Sequence, residues 1–226
     1  SVSYSGTTVS LTNNGATTMN IGTGANIGTL NLNYASATTT LSAGNITTVN
    51  VKNSASNSSV TISGANVDTL NISSGQTVNV SNGTISNAKG AGTLKMTGGT
   101  VTVTETIGSV ENSSSSGLTI DGGVVTGTLE TKGSGKTTIN SGTVATLTAT
   151  SGTTVVNGGT ITGTFTVTDG TNSISGGSVA VLKIMASKEV TVTGGTILSM
   201  TGTNESGKVK ITANADVTAI TNNAGL

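Results

Sequence analysis

Residues 154–161 read TVVNGGTI: a β-branched stub that breaks on Asn157, passes through Gly158 and Gly159, and resumes on Ile161. Thr and Val suit a pleated strand, Asn starts turns, and Gly enters the positive-φ region that other residues avoid. The same phrase returns as LKMTGGTV from Leu94, LTIDGGVV from Leu118, NSISGGSV from Asn172 and VTVTGGTI from Val190. Weaker copies start at Met19, Thr39, Val60, Val78, Thr137 and Val209. Successive starts lie 16 to 24 residues apart with a mean of about 19, the length of one solenoid coil.

Three columns explain the phrase. Its third position holds Ile21, Leu41, Ile62, Val80, Met96, Ile120, Ile139, Val156, Ile174, Val192 and Ile211, which reads as one aliphatic core column. The next residue, such as Ser42, Ser81, Thr97, Asp121, Asn140 or Ser175, is expected to start the turn by bonding a nearby backbone N–H. Two residues later stand Gly44, Gly83, Gly99, Gly123, Gly142, Gly159, Gly177 and Gly195, as a positive φ requires, with Ala65 breaking the series. A second strand then alternates at period two, as in Val67, Leu70, Ile72 and in Ile161, Phe165, Val167. Helical spacing is absent. Each strand is too short to stand alone, so coils must stack on one another to satisfy their backbones.

The expected fold is therefore all-β: one single-stranded parallel β-helix, a β-solenoid of about eleven coils of roughly 19 residues, filling residues 1–226 as a single domain. A right-handed winding is expected because strand crossovers overwhelmingly take that hand. Residues 1–18 read as an N-terminal cap or partial first coil and 213–226 as the C-terminal end coil. Their exposed edges call for flanking domains or self-association. The 24-residue step predicts a protruding loop over 106–117.

Composition narrows the function. Gly, Ser, Thr and Asn dominate; Pro, Cys, His, Trp and Arg are absent, and the aromatic residues are Tyr4, Tyr34 and Phe165. Nine Lys balance nine Asp and Glu, which argues against nucleic acid and polybasic membrane partners. No run approaches the length of a membrane span. Starting at Ser1 without Met and stopping at Leu226, the chain reads as a segment of something longer.

In the phrase columns and glycine turns, nearly the whole chain resembles the parallel β-helix of secreted bacterial proteins, shared by pectin-lyase-like enzymes and adhesin shafts. The resemblance implies an extracellular or cell-surface setting, and it implies fold more strongly than activity.

Catalysis on such a scaffold needs gathered acids and bases. The richest candidate group is Glu105, Glu111, Asp121, Glu130, Lys132 and Lys136, beside the expected loop; two carboxylates there could serve as acid and base or hold Ca²⁺. The plainer reading, a solvated surface with incidental charges, is preferred, with no cofactor and no metal, because no ligand spacing recurs. A second candidate surface is the outward threonines Thr128, Thr146, Thr148, Thr164 and Thr166, a ladder of the kind that binds ice. Stacked Asn31, Asn50 and Asn71 read as a side-chain hydrogen-bond ladder that fixes register. Phe165 falls inward and Tyr34 is the one exposed aromatic candidate for sugar. The expectation is a non-enzymatic structural or adhesive shaft, with a glycan or a host or cell-surface protein as partner. The alternatives are a carbohydrate-active or carbohydrate-binding β-helix and, after it, ice binding.

Overall fold

The computed structural model describes residues 2–13, 18–33, 38–52, 59–185, 187–202, 208–211, 215–218 and 220–222. They form an all-β parallel solenoid: no helix occurs among them, and every strand pairing is parallel. Tyr34 lies outside the described residues.

One register chain threads the molecule. Thr8, Ile27, Ile46, Val67, Ile85, Val101, Leu118, Thr137, Thr154, Asn172, Val190 and Val209 stand opposite one another in succession. These eleven steps average about 18 residues, slightly less than the spacing of the phrases. At about 4.8 Å per step the stack is about 50 Å tall.

Two further columns belong to the core. One runs through Leu94, Val110, Leu129, Leu147, Phe165, Leu182 and Met200, and the other through Ile107, Val125, Val144, Ile161, Val179 and Ile197. All of these side chains are buried, and Phe165, the largest, is wholly enclosed as the alternation predicts.

The phrase does not keep to one column, which corrects the single third-position column. Met96 stacks under Asn112, and that column continues through Thr131, Ala149, Val167 and Ile184. Ile120 instead stacks on Val103 and leads to Ile139. Between these coils the strand–turn–glycine unit moves to a different corner of the coil. The apparent 24-residue step is this move, because the true steps there, Met96 to Asn112 and Val103 to Ile120, are 16 and 17 residues.

The expected protruding loop at 106–117 is accordingly not formed. Thr106–Asn112 is a strand paired on both sides, with Ile107, Val110 and Asn112 buried. The remaining residues make a tight turn around a buried polar knot. Ser114 Oγ donates to Asn112 Oδ1 at 2.7 Å, Asn112 Nδ2 donates to Thr137 Oγ1 at 3.0 Å, and the Thr131 hydroxyl lies 3.0 Å from the same oxygen. Those bonds offset the cost of taking four polar side chains out of water.

At the corners, the hydroxyls after the third position act differently from expectation. Ser42, Ser81, Thr97, Ser175 and Thr193 donate to the carbonyls of Ile21, Ile62, Val80, Val156 and Ile174, one coil away, at 2.8 to 3.5 Å. They clamp neighbouring coils as well as starting turns. Gly177 has φ +77°, and a Cβ there would stand 2.4 Å from the Gly159 carbonyl oxygen, so both backbone conformation and stacking exclude a side chain. In the coil of Gly123 the positive φ falls on Gly122 instead.

At the N-terminal end, the strand Thr7–Asn13 pairs among the described residues only with Asn26–Leu32, and Val9 is 86% exposed.

Ile174 is fully buried, so Ile174→Asp should lower the unfolding free energy by about 4 kcal/mol or more, measured by denaturant titration. A loss below about 0.5 kcal/mol would reject its inward placement. Gly177→Val should cost more than Ser178→Val, because Ser178 begins a strand that tolerates β-branching. Equal melting temperatures for the two variants would contradict the stacked-corner account.

Candidate functional site

The six charged candidates do not converge. Glu105 sits in a turn, where Lys89 Nζ donates to its two carboxylate oxygens at 2.8 and 3.0 Å and Asn87 Nδ2 donates at 2.8 Å. Glu111 and Glu130 are register neighbours on another strand face, and Lys132 Nζ lies 3.1 Å from Glu130 and 3.6 Å from Glu111. Lys95, opposite Glu111, adds a longer contact at 3.9 Å. Asp121 lies at a glycine corner and accepts from Ser141 Oγ at 3.1 Å, while Lys136 pairs in register with Thr153. Only Glu111, Glu130 and Lys132 are thus brought together.

The lysines that neutralise this group, Lys89 and Lys95, were not among the sequence candidates. The signal was present: each precedes its glutamate, Glu105 or Glu111, by 16 residues, one true turn at this height of the stack. Reading the interval as a loop hid it.

Electrostatics match the pairing. The Lys89 ammonium and then the Asn87 amide hold the Glu105 carboxyl below its usual 4.5. Asp169 is held below 3.8 by the Lys188 ammonium, 2.9 Å away, and by the Gly170 N–H. Hydrogen bonding to Glu130 raises Lys132 above 10.5. Among the described residues no three His, Cys, Asp or Glu side chains gather as a metal site.

The candidate threonines stack over only a short stretch. Thr146 and Thr148 flank Leu147, and Thr164 and Thr166 flank Phe165, its register partner, giving two Thr-x-Thr rungs. Thr128 stands opposite Thr146, but Glu130 occupies the other place in that rung. On the far side Val181 and Lys183 interrupt the array.

A longer ordered surface lies in the N-terminal coils, where NIGTLNL at Asn26–Leu32, NITTVNV at Asn45–Val51 and NVDTLNI at residues 66–72 stack in register. The expected amide ladder holds: Asn71 Nδ2 donates to Asn50 Oδ1 at 2.7 Å, Asn50 to Asn31 at 2.8 Å, and Asn31 to Thr12 Oγ1 at 3.4 Å. A second ladder, not read from the sequence, joins Asn66, Asn45 and Asn26 at 3.2 Å per bond. Thr29, Thr48 and Thr69 form a row between the two ladders.

This face ends at a cleft of about 440 Å³ whose walls include Asn71, Lys89, Glu105, Thr106, Gly122 and Val124. The cleft lies where the glycine corner begins to shift. A second cleft of about 360 Å³, bordered by Asp169, Asn172, Lys188 and Glu189, lies further up the stack.

No family model matches the chain, and no curated protein or solved structure matches it.

The depressed carboxyls imply a stability contribution that is present above about pH 4.5 and lost as pH falls through the lower folded-state values. The raised Lys132 works oppositely: its contribution is present below about pH 10.5 and lost as pH rises beyond it. Glu105→Gln should therefore lower the melting temperature slightly at neutral pH, with the difference vanishing near pH 2 and shrinking in about 1 M salt. A difference that persists in acid would show that the ion pair is not its source.

Proposed function

We propose that this chain is a non-enzymatic shaft or display segment of a secreted or cell-surface bacterial protein, with an extracellular setting. The observation that carries the reading is the unbroken parallel register from Thr8 to Val209, in which each coil depends on its neighbours. Rigid, nearly neutral coils suit projecting another part of a protein away from a surface. The candidate acids support it too: Glu105, Glu111 and Glu130 are each engaged by lysine, and Asp121 stands apart at a corner. The partner on this reading is a glycan or a host or cell-surface protein, and flanking domains or self-association cover the end coils.

The test is an assay of the protein against a panel of neutral and acidic polysaccharides, with and without Ca²⁺, alongside the triple variant Glu105→Ala, Asp121→Ala, Glu130→Ala. No turnover by either protein is expected. Turnover by the native chain that disappears in a still-folded triple variant would replace the shaft by an enzyme.

A further inference from the structure

We propose that the amide-and-threonine face of the N-terminal coils, running from Thr12 to the cleft beside Asn71, Lys89 and Glu105, is a track for one extended, neutral, hydroxyl-bearing glycan chain. The inference deepens the display reading by giving the shaft's flank a ligand, and it rests on that reading only in treating the chain as non-catalytic.

The chemistry of the face selects the ligand class. A side-chain amide has two N–H donors and an oxygen with two lone pairs. Within the ladder, Asn50 spends one donor on Asn31 and one lone pair on Asn71, so one of each remains for a ligand. The Asn45 amide is in the same position between Asn26 and Asn66. With the Thr48 hydroxyl between them, each rung offers donors and acceptors together, and the offer repeats at about 4.8 Å. A sugar hydroxyl both donates and accepts, so a polymer of them matches every rung. Sulfate or phosphate groups only accept and would confront the remaining lone pairs, while ammonium groups only donate.

Charge points the same way. The three stacked strand segments carry one charged side chain, Asp68, and in the cleft the Lys89 ammonium and Glu105 carboxylate cancel. The depression there is open to solvent, which suits a chain lying along the surface rather than an enclosed small molecule. Size separates a glycan from a protein partner: four coils by seven residues make a face of roughly 15 by 20 Å, well short of the about 800 Å² that a stable protein interface covers on each side. A narrow polymer needs no more than this strip.

The experiment uses the intact chain and linear neutral oligosaccharides of one to six glucose or mannose units, with sulfated counterparts, titrated by calorimetry. Two variants supply the contrast: Thr48→Lys at the middle of the track, and Thr148→Lys on the other polar face. The expected result is affinity for neutral oligomers that grows with length up to about four units and then levels, a loss of about tenfold in Thr48→Lys, and no change in Thr148→Lys, with matching melting curves for all three proteins. The proposal is overturned if no neutral oligomer binds, if sulfated oligomers bind better, or if the two variants behave alike. Shortening of the oligosaccharides during the titration would overturn the non-catalytic reading instead, and retention without shortening leaves it in place.

Discussion

The backbone hydrogen bonds between successive coils are the constraint on which the rest of this structure depends. Strands of three to eight residues, typical of the stack, cannot satisfy their own N–H and C=O groups, and water does not reach their inner faces. Each coil is held by the one below and templates the one above. With no Pro in the chain, every residue after the first can donate to this ladder. The prevalence of small residues follows from the same requirement: coils stack at strand spacing even at their corners, where a Cβ on Gly142 would come within 2.1 Å of the Gly123 carbonyl oxygen. Glycine is selected there by the neighbouring coil as much as by its own φ.

Such a stack tolerates a change of corner provided that the register survives it. Between Met96 and Ile120 the glycine turn moves, the coils tighten to 16 and 17 residues, and a buried Asn–Ser–Thr knot takes over the corner that the glycines leave. The register chain passes through undisturbed. A cleft opens at this height, and charged side chains concentrate near it, because altered corners place outward positions from different strands beside one another.

The polar surfaces follow the same logic. Identical residues at equivalent positions of parallel coils stand directly over one another, so Asn over Asn becomes a polarised chain of amides and Lys over Glu becomes an ion pair. The Asn31–Asn50–Asn71 ladder was readable because its spacing is regular. The pairing of Lys89 with Glu105 left the same kind of signal, a 16-residue step, but reading the following interval as a loop hid it.

The sequence by itself determined the all-β parallel solenoid, the aliphatics of the third position and of the second strands it named, the glycine corners and the first amide ladder. Each of these is a property of one coil repeated, and repetition displays itself in a string of letters. What only the tertiary structure decided was which coils stack in which register where repetition falters. From the string, a 24-residue interval is equally an inserted loop or a shifted corner; backbone pairing of Thr106–Asn112 on both sides settles it as the latter. The fate of the six charged candidates turned on that choice. Side chains close in sequence were dispersed over separate faces, while lysines one short turn away were brought onto the carboxylates, because proximity in a solenoid is set by the coil period rather than by distance along the chain.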